Sequence, residues 1–430
     1  MTQPFGRMMS AAESSDTSIP LIGLLLTTRP EIGGSFQYSL TILEAFASLP
    51  LGSYRLLVAY SDPLWEPYLS RYSVATVRIN FGLLSRVGTF CWREAGLPMQ
   101  WLRKITALVL PAARIMGRQQ GKLWIYPSQD GWSYQLDLPA LVAVHDLMHR
   151  YERRFPEVSV WGLWRERERH YRNICSWSKG TLVDSQLGQE QLHESYGIGK
   201  DKIHILPFIA PDYILSTVKV AGFDTRYNLP KKFIFYPAQF WTHKNHLRLI
   251  KALAVVRKDC PDARIVLAGS KKNAYPEAKR EIDRLGLTDS VHIFGYVPND
   301  DIVELYRRAR AMMMPTFFGP TNIPPLEAMA LGCPIAVSNV YGMPEQVGDA
   351  ALLFDPESVE EIADCMRRLW LDDKLCSELI KKGLARVSAK GAEQFNERFR
   401  RIVAYIVIQS NENEDLSASI RSNLKSTYKY

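Results

Sequence analysis

Phe233-Ile234-Phe235-Tyr236-Pro237-Ala238-Gln239-Phe240-Trp241-Thr242-His243-Lys244-Asn245 opens the second half of this 430-residue chain and leads into His246–Val256. The first four residues are an uninterrupted apolar run of buried-strand length. In the last eleven, apolar residues recur at helical spacing. A strand, a polar loop and a helix in that order form the opening unit of a parallel-sheet domain.

The same rhythm continues downstream. Strands are expected at Arg264–Ala268, Val291–Phe294, Ala311–Met314 and Ile335–Ser338. Helices are expected at Ala278–Leu285, Asp301–Arg308, Pro325–Leu331, 358–371 and 374–386. The helix Pro325–Leu331 has Pro at its start and Gly332 just past its end, the favoured asymmetry. A last amphipathic helix over 392–408 places Phe395, Phe399, Ile402, Val403 and Ile406 on one face.

Upstream, a separate series begins with Leu21–Leu26, followed by Gly33-Gly34 and a helical pattern over Phe36–Phe46. Tyr54–Ala59, Leu123–Tyr126, Leu141–Val144 and Gly180–Asp184 read as further strands, and Leu206–Phe208 as the end of another. The expected organisation is a loose tail over 1–18, a first Rossmann-like domain over 19–215 and a linker over 211–230. A second Rossmann-like domain over 230–390 follows. The helix 391–408 then packs back across the domains, ahead of a polar tail over 411–430. The fold class is α/β, with two parallel-sheet domains facing an interdomain cleft. Ligands of such sheets bind outside the carboxyl ends of the strands, near the switch point.

Composition removes several classes. At 47% hydrophobic and 23% charged the chain is ordinarily globular. No stretch approaches ~18 uncharged apolar residues, so a spanning helix is not expected. No apolar signal core precedes Pro20, so a cleaved secretion signal is not expected either. The six cysteines are sparse and form no C-x-x-C pair, which fits reduced thiols in a cytoplasmic protein without structural zinc. The net charge of +8 is uneven, because 81–122 holds seven Lys/Arg against Glu94 alone.

Four loops after strands carry suggestive chemistry. Gly33-Gly34 can bring backbone N–H groups to an anion at a helix N-terminus, although the G-x-G-x-x-G fingerprint is missing. His145-Asp146 ends a strand facing the cleft mouth; a hydrogen-bonded His without catalytic work fits the same pattern. The stretch His149 to Arg172, with seven Arg and four Glu, reads as a solvated loop and helix face. Lys244 is a mobile point charge near a helix N-terminus, suited to a phosphate, but surface exposure is the common fate of lysine. Pro315–Glu327 is rich in residues of fixed or permissive backbone. Its Glu327 falls in a first helical turn, where the dipole favours a carboxylate, and it could also accept two ribose hydroxyls.

Pro315–Glu327 followed by Ala328–Ser338 and Met343-Pro344-Glu345 closely resembles the group 1 glycosyltransferases, glycosyltransferase family 4, in a mannosyltransferase-like branch. The resemblance continues through Leu353–Pro356, Phe294–Pro298 and His243-Lys244-Asn245. It is weaker at Gly33-Gly34, His145-Asp146, Val183-Asp184-Ser185 and Ile203–Pro207. It implies the GT-B fold and retaining transfer from a nucleotide-diphosphate sugar without a metal or other cofactor. It also implies roles. Lys244 holds the donor diphosphate, Glu327 the nucleotide ribose, and His145 lies close to the transferred sugar. Gly33-Gly34 lie near the donor phosphate, and Tyr296 and Val297 meet the base. Two positions depart from the pattern: Gly319 stands where a glutamate is usual, and Gln239 where an arginine is usual. Either the loop Pro320-Thr321-Asn322-Ile323 substitutes with backbone N–H groups, or activity is altered.

The favoured donor is GDP-mannose, with UDP-glucose second, and the acceptor a polysaccharide or lipid-linked saccharide. A sugar-nucleotide 2-epimerase of the same architecture would need several cleft carboxylates. A nucleic-acid binder is disfavoured because the basic excess is local and no nucleic-acid motif is present. The mix of basic and apolar residues in 81–122, with Trp101, Ile105, Leu108 and Val109, is the makeup of an interfacial helix. Arg103-Lys104 and Arg114-Arg118 would face an anionic membrane at the inner face of the cell.

Overall fold

The computed structural model describes residues 19–29, 33–82, 98–215, 220 and 222–427. The expected tail 1–18 lies outside them, as do 83–97 with Arg86, Arg93, Glu94 and Cys91.

Two all-parallel sheets organise the chain. The first holds seven strands in the order β3-β2-β1-β4-β5-β6-β7. These are β1 (Leu21–Leu26), β2 (Arg55–Tyr60), β3 (Ala75–Arg78), β4 (Leu123–Tyr126), β5 (Ala140–Ala143), β6 (Gly180–Val183) and β7 (Ile203–Ile205). The second has the order β10-β9-β8-β11-β12-β13. Its strands are β8 (Ile234–Pro237), β9 (Ile265–Ala268), β10 (Val291–Ile293), β11 (Ala311–Met314), β12 (Ile335–Ser338) and β13 (Ala351–Phe354). The helices used below are α1 (Gly34–Ala47), α2 (Met99–Val109), α3 (Pro111–Arg118), α4 (Leu163–Trp177), α5 (His246–Val256), α6 (Asn299–Arg308), α7 (Ile323–Ala330) and α8 (Ala392–Thr427).

The central strands are apolar at every position because helices cover both faces. Ile22, Leu24 and Leu26 of β1 enter one core with α1, while Leu21 and Leu25 enter another with Trp124. In the second domain, Phe233–Tyr236 and Ala311–Met314 lie in one continuous core.

The structure departs from the sequence reading in several elements, among them β13 (Ala351–Phe354), which the sequence reading did not mark as a strand. β3 escaped it because Ala75-Thr76-Val77-Arg78 is an exposed edge strand without an apolar run. Leu206–Phe208 is not a strand end; the strand is Ile203–Ile205, and Leu206 begins the loop beyond it. Helix α7 starts at Ile323, two residues before the expected Pro325, because Pro is tolerated in a first turn and does not have to begin it. Helix α8 continues through Thr427 instead of giving way to a tail at 411. Its Phe395, Phe399, Ile402, Val403, Ile406 and Val407 complete the core of the first domain against α1.

The stretch His149–Arg172 is not simply solvated. Glu168 of α4 is buried and accepts from Arg150 at 2.5 and 2.8 Å, from Arg172 at 2.9 Å and sits 3.3 Å from His149 Nε2. Burial pulls this carboxyl up, but Arg150 and Arg172 outweigh it and hold its pKa at about 2. The same stretch crosses to the second domain. Tyr341 donates to Glu152 at 2.8 Å, Arg154 pairs with Glu357, and Glu157 meets His243 Nδ1 at 3.0 Å.

Arg103 is likewise not offered to a membrane. It is buried, donating to the Tyr134 carbonyl at 3.0 Å and to Asp137 at 2.8 Å. Its neighbours Trp101, Ile105, Leu108 and Val109 on α2 are exposed. Among the described residues, no helix is long and apolar enough to cross a membrane.

Candidate active site

The two sheets present their carboxyl edges to one interdomain cavity of about 620 Å³. It opens at both switch points. Gly33-Gly34 follow β1, and the loops carrying Lys244 and Thr321-Asn322 follow β8 and β11, the strands at which the second sheet reverses. All ten residues singled out in the sequence border it: Gly33, Gly34, His145, Lys244, Tyr296, Val297, Thr321, Asn322, Ile323 and Glu327.

Gly33 precedes α1 with φ 72° and ψ −116°, and its carbonyl accepts from the N–H groups of Phe36 and Gln37. A Cβ there would meet nothing, so the constraint is the backbone conformation and not space. The start of α1 thus points its unbonded amides at the cavity.

Lys244 closes a single turn over Thr242–Lys244, and Asn245 follows with φ 59°. Two bonds from the Asn245 side chain, to the carbonyls of Pro315 (2.9 Å) and Pro356 (2.8 Å), hold that left-handed residue. The Lys244 ammonium donates to Asn322 Oδ1 at 3.3 Å. Burial lowers its pKa to about 8, opposed by the nearby charge of Asp146. Among the described lining residues Lys244 is the one cation and Glu327 the one acid.

Asn322 is itself fixed by a reciprocal pair with Gln346, N–H to Oε1 at 3.0 Å and C=O from Nε2 at 2.6 Å. Gly319 has φ 147°, and a Cβ built on it would lie 2.3 Å from Asn322 Nδ2. The Asn322 amide therefore packs where a side chain at 319 would begin. Gln239 also lines the cavity and accepts from Trp241 Nε1 at 2.9 Å. Across the cleft, Thr321 donates to Asp184 of the first domain. Burial raises the Asp184 pKa to about 6, against the bonds from Thr321 and Ser185.

His145 lies two residues beyond β5, packed edge-on against Tyr38 at 5.0 Å. Its Nε2 lies 3.2 Å from the Pro127 carbonyl, an acceptor only, so Nε2 carries the proton and Nδ1 the lone pair. Burial lowers the pKa to about 4, which keeps the ring neutral near pH 7. It can accept a hydroxyl but not act as a standing cation.

Glu327 corrects the helix-dipole reading. Because α7 begins at Ile323, this carboxylate lies in the second turn, not the first. It is buried, and two phenols hold it: Tyr306 donates to Oε2 at 2.8 Å and Tyr213 to Oε1 at 2.5 Å. Burial raises its pKa and the two phenols oppose that rise. Neither tyrosine was found in the sequence. Tyr306 reads as core, and Tyr213 is 114 residues away in the linker. Tyr296 is exposed at the rim, whereas Val297 beside it is buried. Among the described residues, no three His, Cys, Asp or Glu side chains converge as a metal site.

Residues 222–386 match the sequence profile of the family described as glycosyl transferases group 1. That match takes in most of the second domain and makes it similar to the group 1 glycosyl transferases. The serotype-specific mannosyltransferase WbdA of Escherichia coli is 28% identical over 215 residues, covering 48% of this chain and 26% of that protein. O-antigen chain mannosyltransferase B of Escherichia coli is 38% identical over 106 residues, covering 25% and 26%. The match thus spans about a quarter of the length of these two relatives. HepE of Anabaena, crystallised with UDP-glucose, superposes with a TM-score of 0.67 at 16% identity, covering 90% of this chain and 99% of that one. At that identity the likeness concerns the fold, which is GT-B, and the residues that match the group 1 profile lie in its second half.

Proposed function

We propose that this protein is a retaining hexosyltransferase that moves a sugar from a nucleoside diphosphate sugar to a polysaccharide or lipid-linked saccharide. One observation carries the reading. Lys244, the single cation among the described lining residues, sits at the switch point of the second domain, with the N-termini of α1 and α7 bordering the same space. A cation and oriented amides stabilise charge that develops on a departing diphosphate. Glu327 would take the ribose hydroxyls, Tyr296 and Val297 the base, and neutral His145 a sugar hydroxyl.

Mannose is the favoured sugar, because the relatives include two mannosyltransferases. GDP-mannose is the first donor to test and UDP-glucose the second, the latter from the ligand of HepE. Retention would come from attack on the leaving-group side of the sugar, with the departing phosphate oxygen taking the acceptor's proton. Metal-free turnover is part of the reading. An epimerase would use several carboxylates, and among the described lining residues Glu327 is the sole one.

Incubation with labelled GDP-mannose or UDP-glucose, with and without acceptor and with EDTA, tests this. Transfer to acceptor with an unchanged anomeric configuration, unaffected by EDTA, is expected. An epimer formed without acceptor, or no turnover of either donor, overturns it.

Work at an anionic membrane surface belongs to the same reading. It rests on exposed Trp101, Ile105, Leu108 and Val109 beside Lys104, Arg114 and Arg118. Each such cation contributes ~1 kcal/mol near an anionic surface. Flotation with anionic but not neutral vesicles is expected, and its loss when Lys104, Arg114 and Arg118 become Glu. Absence of vesicle binding at low salt overturns it.

A further inference from the structure

Glu327 is held by two phenols that differ in permanence. Tyr306 belongs to α6, is fully buried in the second domain's core and packs edge-on against Phe235 at 5.0 Å. Its hydroxyl reaches Oε2 from the protein side. Tyr213 comes from the interdomain connection, on the single turn Asp212–Leu215, and lines the cavity itself. Its hydroxyl reaches Oε1 from the ligand side at 2.5 Å.

A buried carboxylate left short of a donor is costly, so both oxygens are expected to be satisfied in the empty protein. To a carboxylate oxygen, a phenol and a ribose hydroxyl are equivalent, since each offers one O–H. We propose that Tyr213 stands in for a ribose hydroxyl of the nucleotide and is expelled when the nucleotide enters. The inference rests on the reading above, in which Glu327 faces the ribose. Nucleotide entry then exchanges one O–H···O⁻ bond for another and gains little at this contact. The exchange also moves the connection between the domains, so occupancy of the cavity is linked to the linker's position. Tyr213 sets the affinity threshold for the donor; it does not anchor the nucleotide.

The sign of one mutation decides the point. In the full chain, Tyr213→Phe removes the competing hydroxyl and leaves the ring. GDP and UDP, titrated calorimetrically, should bind the variant about tenfold more tightly, the size of one hydrogen bond to a charged group. That gain should vanish when Glu327→Ala is added, because the competition is for its carboxylate. A tyrosine that merely props the site open or anchors ribose would give weaker binding in Tyr213→Phe. Unchanged or weaker binding by the variant, with normal binding by the wild type, overturns this proposal alone. Failure of the wild type to bind either nucleotide overturns the nucleotide reading and this proposal together. A second measurement needs no variant. Hydrogen exchange at the Asp212–Leu215 amides of the wild-type chain should rise when GDP or UDP is added, and a fall overturns the proposal.

Discussion

Lys244 and Arg103 look alike as sequence: each is a cation beside an apolar segment, and each was expected to meet an anion. Their surroundings separate them. Lys244 borders a cavity, touches a neutral amide at 3.3 Å, and is pushed by burial to a pKa of about 8. Arg103 is consumed by Asp137 and by the carbonyl of Tyr134, both more than thirty residues further along. The lesson is that availability of a charge is decided by distant partners, not by its own neighbourhood in the chain. Lys244 holds its charge at an energetic disadvantage until a ligand arrives, whereas Arg103 has already found its anion.

The sharpest break of that comparison is Lys244→Ala. It should lower turnover by 10²–10³, roughly 2–4 kcal/mol as for a lost oxyanion donor, with the fold intact. Turnover near wild type would put Lys244 in the same structural class as Arg103. A smaller effect is expected of Glu327→Gln. It should raise the Michaelis constant no more than a few-fold, because the ribose contact replaces the one Tyr213 already makes. Saturated turnover should change little, because the ribose is remote from the reacting bond. His145→Ala should act the other way, lowering turnover several-fold while leaving GDP or UDP affinity near wild type. Equal losses in both would move His145 away from the sugar.

The pH response follows from Lys244. The free enzyme loses the cation as pH rises through about 8, so kcat/KM should fall above that pH. Bound diphosphate favours the ammonium, so kcat should persist to higher pH. The stability effect has the opposite sign. Between about 8 and the ordinary lysine value of ~10.4, the unfolded chain carries a proton that the folded chain lacks. Stability attributable to this residue therefore rises with pH across that window, and Lys244→Met should flatten the slope of melting temperature against pH. Smallest on activity is Arg103→Ala. It should leave turnover unchanged and lower the melting temperature by a few degrees, since it strands the Tyr134 carbonyl and Asp137. A turnover loss larger than the stability loss would mean that α2 reaches the cleft.

What the sequence disclosed depended on how local the signal was. Strands buried on both faces, such as Leu21–Leu26 and Phe233–Tyr236, announce themselves as apolar runs. Ala75–Arg78 does not, because an edge strand needs only backbone partners. Gly33, Gly34, His145, Lys244 and Glu327 were legible because their loops follow strands, where parallel sheets collect ligands, whereas Tyr296 and Val297 came from the family resemblance alone. The phenols on Glu327 were not, since one sits in a linker without periodicity and the other looks like any core tyrosine. Nor was the substitution at 319 interpretable alone. Only the placement of the Asn322 amide against Gly319, with its reach to Lys244, says what took over that space.

The final helix has a consequence in time. Phe395, Phe399 and Val403 fill the first domain's core, and Phe395 abuts Tyr38, the ring against which His145 rests. A ribosome that has made residues 19–215 has therefore not yet delivered the material that closes that domain. The second domain, whose buried core runs from Phe223 to Leu379, is complete earlier. Although domains made earlier ordinarily fold earlier, here the order is inverted, and the domain of residues 19–215 waits for a helix made after the second domain. Until α8 emerges, the face of α1 that it will cover stays open to water and to chaperones.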